Sequence, residues 1–427
     1  MKPPAALLFT VPLLLLLLGC AGAARGRRPT SVPGSAALPY EDIQALLEAG
    51  DPQAALALYD QARGEGPAGP EERLLRAQLL LAADRSPEAR AELESLTAEH
   101  PGQAEALATL GRLRQEAGEM DQARGLFEQA LRVEPGNFTA LHGLGRILFE
   151  ERRYPEALSH FDRALAGEVR FSFAFADRAR TRAALQDWAG ASSDLDEAIR
   201  LDPRDPWSYL DRGKLHLRAR ALGPAEADFS RCLELDPDNF LARVLRAGLL
   251  EEQGRAAEAI ADYEQALRLR PDYDFAYAPL AILHYIEKNW DRAGELFQQA
   301  YRAQPGEPAY ALLAALCGKQ AGRDGEAGEA LRGLASGLPA DGWQLQAARY
   351  LADPARELAL LAWISREPDR VERGRLLFYL ASQFLLEDRV APALTYLAET
   401  AGLERRDLPE RRLAAALLKS YEYEEGE

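Results

Sequence analysis

The chain has 427 residues, 47% of them apolar and 28% charged, a balance that lets it form a core. Its formal charge of −16 excludes a general nucleic-acid binder, which needs a surplus of Lys and Arg to neutralise phosphates. Three cysteines, Cys20, Cys232 and Cys317, are too few for a disulfide framework over this length.

Lys2 is followed by an apolar run from Ala5 to Leu18, interrupted by Pro12. The run is shorter than the roughly 20 residues that span a bilayer and predicts the core of an export signal. It ends in Leu17-Leu18-Gly19-Cys20, which resembles the bacterial lipobox, where cleavage before the Cys frees its thiol to carry diacylglycerol. Acyl chains anchor stably because each buried methylene contributes roughly 0.8 kcal/mol. Residues 1–19 are therefore expected to be a lipoprotein signal peptide, Cys20 the lipidated membrane anchor, and 20–35 a flexible tether. Ala21 in place of Asp after the Cys points to the periplasmic face of the outer membrane, within the cell envelope. The rival is cleavage after Ala23 in Ala21-Gly22-Ala23, which releases a soluble secreted protein. A eukaryotic secretory signal would instead make Asn137-Phe138-Thr139 a glycosylation sequon.

From residue 36 to residue 341 the chain repeats itself every 34 residues, giving nine units. Ala55, Ala89, Ala123, Ala157, Ala191, Ala225, Ala259, Ala293 and Ala327 form one ladder. Four residues after each stands a large apolar residue: Tyr59, Leu93, Phe127, Phe161, Leu195, Phe229, Tyr263, Phe297 and Leu331. Pro closes most units, from Pro67 and Pro101 to Pro305 and Pro339, with Val169 breaking the series. This spacing resembles the tetratricopeptide repeat, with its A-x3-F and trailing Pro. The resemblance implies an all-α, right-handed α-α superhelical solenoid of stacked helix pairs. Physically, the Ala lets two antiparallel helices approach, the large residue fills the gap, and Pro ends the second helix.

A charge pattern supports the register. Arg76, Arg178, Arg212 and Arg246 are matched 16 residues later by Glu92, Asp194, Asp228 and Asp262. Where the first position is Leu110, Leu144 or Leu280, the partner is Leu126, His160 or Leu296. Paired, packed side chains inside each unit would produce this, because an unpaired buried Arg is costly.

Beyond Pro339 the period changes. Residues 343–352 and 355–366 read as an atypical helix pair, residues 374–402 recover the pattern two residues out of phase, and Leu408 to Tyr423 predicts a capping helix, polar outside. This order resembles the NlpI-like tetratricopeptide lipoproteins, carried by Gly342-Trp343, Arg349-Tyr350-Leu351 and Phe378-Tyr379-Leu380 through Leu397. The resemblance covers mainly residues 270–420 and gives residues 342–427 as an NlpI-like C-terminal region. It implies an outer-membrane adaptor that brings an envelope protease and peptidoglycan hydrolases together. The greater number of regular repeats here puts the identity of those partners in doubt.

The sequence holds no catalytic constellation, no metal-ligand spacing among its five His and no phosphate-binding loop, so no enzyme, metal or cofactor is expected. A partner-binding groove is expected instead on the first helices. At one offset four consecutive units carry Arg112, Arg146, Arg180 and Lys214. Seven residues earlier, two turns along the same face, stand Glu105, Thr139, Phe173 and Trp207, with His142 between the levels. Cations beside aromatics suit an extended, acidic protein or peptide segment. The alternative is that these cations cover helix faces and pair with neighbouring Asp or Glu. A second copy of the chain, in a homodimer, is a further partner to be considered. Rival readings are a lipoprotein subunit of a transport, pilus or outer-membrane assembly machine, and a solenoid that holds a small hydrophobic ligand.

Overall fold

The computed structural model describes residues 38–63, 68–167 and 171–424. The expected signal peptide, the tether, the lipid anchor at Cys20, and Pro67 and Val169 lie outside the described residues. Among the described residues every regular element is a helix. None of them is long and apolar enough to cross a membrane.

The helices fall into two compact units, residues up to Leu215 and residues from His216. The first holds the pairs α1 (Tyr40–Glu48) and α2 (Pro52–Arg63), α3 (Pro70–Ala82) and α4 (Ser86–Glu99), α5 (Ala104–Glu116) and α6 (Met120–Val133), α7 (Phe138–Glu150) and α8 (Tyr154–Leu165), and α9 (Ser172–Ala184) and α10 (Trp188–Leu201). The boundary falls inside α11 (Pro206–Arg218). The second unit holds α12 (Leu222–Leu235), then α13 (Phe240–Glu252) and α14 (Ala256–Leu269), α15 (Tyr277–Ile286) and α16 (Trp290–Ala303), and α17 (Ala309–Gln320) and α18 (Asp324–Ser336). It continues with α19 (Trp343–Ala352), α20 (Glu357–Ile364), α21 (Arg370–Leu386), α22 (Val390–Ala401) and α23 (Pro409–Glu424).

The ladders make the core. The Ala ladder from Ala55 to Ala293 is fully buried, and so are Tyr59, Leu93, Phe127, Phe229 and Phe297 four residues further on. First helices must come close to admit those rings. A methyl group on Gly111 would stand 2.8 Å from the Phe127 ring, and one on Gly145 would stand 2.7 Å from Phe161. Second helices stop two residues before Pro101, Pro135, Pro203, Pro237, Pro271 and Pro305, where the residue before a proline is pushed out of the helical region.

The turn inside each pair also repeats. Gly50, Asp84, Gly118, Arg152, Gln186, Arg220, Gly254, Lys288 and Gly322 all have φ between 57° and 80° and recur every 34 residues. Asp388, at φ 60°, continues the series two residues early, in the phase expected for 374–402. Each left-handed residue reverses the chain within a few residues, which the helix ends need to satisfy their last carbonyls.

Three of the four expected charge pairs are seen. Arg178 donates to Asp194 at 2.9 and 2.7 Å, Arg246 to Asp262 at 2.7 and 2.9 Å, and Arg76 to Glu92 at 3.5 Å. A second partner, not foreseen, lies 16 residues upstream on the preceding second helix. Arg76 reaches Asp60, Arg178 reaches Asp162, Arg212 reaches Asp196, and Arg246 reaches Ser230. Each guanidinium therefore ties neighbouring repeats together.

The C-terminal elements follow the expected order, but α23 is more than a polar cap. It packs on α15, α21 and α22. Glu410, Leu413 and Ala414 are fully buried, and Arg412 forms an ion pair with Glu251 of α13. The helix thus runs across several first helices of its unit.

Candidate partner-binding face of the first unit

Three successive first helices, α5, α7 and α9, bring their equivalent faces together in the first unit. Arg112 and Gln115 come from α5, Phe138, Thr139, His142 and Arg146 from α7, and Phe171 and Phe173 from the entry to α9. They line a crevice of about 30 Å³, the room of a single water. Its wall is aromatic. Phe138 stacks on His142 at 5.8 Å and meets Phe171 at 4.9 Å, while Phe173 lies edge-on to His142 at 5.1 Å. A crevice this narrow cannot enclose a peptide; it can seat one side-chain tip of a segment lying over it.

Four of the seven expected site residues, Arg112, His142, Arg146 and Phe173, therefore share one place. Arg180 and Lys214 extend the row without lining the crevice. Trp207 is half-buried at the start of α11, where its amide donates to Asp205 at 3.2 Å.

The cations differ in what they do. Arg112 is 9% exposed and donates to Glu116 one turn away at 2.7 Å. Arg180 donates to Asp177 at 2.8 Å and to Asp211 at 2.6 Å, and Lys214 donates to Asp211 at 3.0 Å. His142 Nε2 lies 2.9 Å from the other oxygen of Asp177. Burial alone would raise the Asp177 pKa, but the His142 hydrogen bond and the charges of His142, Arg180 and Arg146 hold it below the ordinary value. Arg146 makes no hydrogen bond or ion pair among the described residues. It is the member of the row whose guanidinium remains free to meet a carboxylate.

Asp177 and Asp211 are the residues of this face that reading the sequence missed. They stand one position after His142 in the repeat, 34 residues apart, in a ladder that reads Thr109, Gly143, Asp177 and Asp211. That second ladder was the available signal. On the other side of the crevice Glu105 accepts from Asn137 at 2.8 Å and Thr139 at 3.2 Å, so its carboxylate is engaged within the fold.

In the second unit the same offset reads Gly248, Ile282 and Leu316. Ile282 and Leu316 are buried in one apolar core with Leu413 and Ala414 of α23. There the first-helix face is covered by the chain's own last helix, whereas the expected groove residues all belong to the first unit. His284 is buried, and both Cys232 and Cys317 are buried free thiols. No group of three or more His, Cys, Asp or Glu among the described residues could hold a metal ion.

Solved structures similar to parts of this chain are helical repeat proteins. PilF of Pseudomonas aeruginosa is 21% identical, with 48% of this chain and 92% of that chain covered and a TM-score of 0.44. PilW, described as a widely conserved type IV pilus biogenesis factor, is 19% identical over 49% and 96%, with a TM-score of 0.43. YrrB, described as a TPR protein with an unusual peptide-binding site, is 20% identical over 43% and 95%, with a TM-score of 0.38. No curated protein matches the sequence. Two family profiles, both described as tetratricopeptide repeat, match residues 108–171 and 210–274 and residues 46–113 and 250–317. Together they span more than half of the sequence, in the register of the ladders, and the chain belongs to the tetratricopeptide-repeat family.

Proposed function

We propose that this chain is a protein-interaction scaffold whose first unit binds an extended, acidic segment of a partner along α5, α7, α9 and α11. The observation that carries the reading is Arg146: a half-buried guanidinium whose hydrogen-bond donors are unused within the fold, set beside an aromatic wall. Arg112, Arg180 and Lys214 add positive field, but their hydrogen bonds are already committed within the fold. The partner's carboxylate meets Arg146, and an apolar side chain next to it lies against Phe138 and Phe173.

The same proposal places the scaffold in the cell envelope, held to the membrane by lipid on Cys20. The lipobox-like Leu17-Leu18-Gly19-Cys20 supports the anchor. The order of α19 to α23 supports an NlpI-like role in assembling an envelope protease and cell-wall hydrolases.

The experiment is selection of peptides on the purified chain, followed by affinity measurement over a range of salt. Acidic peptides with an aromatic or aliphatic neighbour are expected, weakening as salt rises. Arg146→Glu lowers their affinity by roughly 10- to 100-fold, the worth of one charge-assisted hydrogen bond, with melting unchanged. Selection of basic or wholly apolar peptides, or indifference to Arg146→Glu, refutes the reading.

A further inference from the structure

On the side of the second helices, between α6 and α8, the first unit has an open crevice of about 350 Å³. Glu128, Arg132 and His160 stand around it, and Leu144 and Leu148 of α7 are among the residues that line it.

The repeat pattern explains the space. At the offset of Leu144 other units carry Arg76, Arg178, Arg212 and Arg246. Their guanidiniums reach back to Asp60, Asp162, Asp196 and Ser230, and Arg76, Arg178 and Arg246 also reach forward to Glu92, Asp194 and Asp262. In the Leu144 unit the backward position is Glu128 and the forward position is His160. Glu128 makes no hydrogen bond or ion pair among the described residues, and His160 keeps its Nδ1 buried without a partner. Where Leu110 and Leu280 replace the Arg, the forward residue is Leu126 or Leu296, and hydrocarbon closes the gap. Here it does not. The crevice has room for the guanidinium that this repeat lacks, and an exposed acid, Glu128, left without its cation.

We propose that this crevice receives an arginine side chain from a partner protein, its guanidinium on Glu128 and its aliphatic stem against Leu144 and Leu148. The surrounding cations do not forbid it. Arg124 is paired with Glu151, and Arg153 with Glu151 and Glu156, while Arg132, unpaired among the described residues and one turn from Glu128, is exposed so that water and salt screen its charge. Adjacent guanidiniums already share acids in this fold: Arg178 and Arg182 both donate to Asp194, at 2.7 and 2.9 Å. Burial, with Arg163 nearby, lowers the pKa of His160 below its ordinary 6.5, which keeps the imidazole neutral at pH 7. The site is separate from the face around Arg146, so the two readings stand or fall apart.

The test is ligand-observed NMR on the full chain with N-acetyl-arginine methylamide, agmatine, and the lysine and glutamate analogues of the first. The arginine probe and agmatine bind, in preference to lysine and glutamate. His160→Asp, which restores the acid that sister repeats carry, tightens the arginine probe roughly tenfold. Leu144→Arg fills the crevice from within and abolishes binding, while Arg146→Glu leaves it unchanged. If Leu144→Arg fails to fold, the gain in His160→Asp decides. Preference for the glutamate probe, an arginine signal that survives in folded Leu144→Arg, or silence of both wild type and His160→Asp overturns the proposal.

Discussion

Arg146 and Arg180 occupy the same offset in neighbouring repeats and do opposite things. Arg180 donates hydrogen bonds to two aspartates; Arg146 donates to none and acts on Asp177 only through its charge, and the residue before it in the acidic ladder is Gly143. A row of like residues in a repeat is therefore not a row of like functions. Charge reversal at Arg180 would break the fold's own hydrogen-bond network, whereas reversal at Arg146 removes no hydrogen bond of the fold. The left-handed turns give a second lesson at this scale. Gln186 and Lys288 hold φ of 64° and 57°, where a side chain costs about 1 kcal/mol relative to glycine. Sister repeats put Gly118 and Gly254 there. Gln186→Gly and Lys288→Gly are each expected to raise stability by about 0.5–1 kcal/mol, and Gly118→Ala to lower it by a similar amount. Thermal melts of the single variants check both signs. A loss on replacing Gln186 would show that its side chain has work the turn does not reveal. The Arg ladder and the aromatic ladder could be read directly from the sequence. Which cations are already engaged could not, since Asp177 and Asp211 reach across repeats and the eye follows one offset at a time.

At the scale of elements, α23 changes the account most. Its period and charge alternation read as an end cap, and the boundaries of 409–424 agree with that expectation. What was not read is where it lies. The clue was the switch at the groove offset from Arg180 and Lys214 to Gly248, Ile282 and Leu316: apolar residues there require a cover. The cover is pinned by buried charge. Glu410 is fully buried and accepts from Arg375 at 3.0 Å and Tyr379 at 3.0 Å, and Arg375 lies over the Trp343 ring at 4.1 Å. Removing one partner of such a pair costs several kilocalories, because the other charge stays buried. Glu410→Ala is expected to destabilise the second unit by about 3 kcal/mol and to expose α23 to protease, while exposed Glu404→Ala does neither. Limited proteolysis with mass mapping reads this out; a protected α23 in Glu410→Ala would mean that hydrocarbon contacts from Leu413, Leu417 and Leu418 suffice.

For the whole molecule, the ladders made the all-α repeat fold legible because every unit solves the same packing problem with the same residue types. Period and side-chain size are local, and a sequence displays them. Contacts between units of different phase, such as α23 on α15, are not local, and a sequence does not display them. The net charge of −16 sets the functional frame. With that net charge, an acidic partner is drawn only where a cation keeps its donors unused, as Arg146 does in the strip from Arg112 to Lys214, so binding should be directional as well as salt-dependent. The most direct measurement is site-specific photocrosslinking of the native partner with benzophenone placed at Phe173, beside Arg146, and for contrast at Gln129, exposed on α6. The account predicts adducts from position 173 that map to an acidic, extended stretch and disappear with Arg146→Glu. Adducts from position 129 alone, or adducts at 173 that persist when Arg146 is reversed, would contradict it.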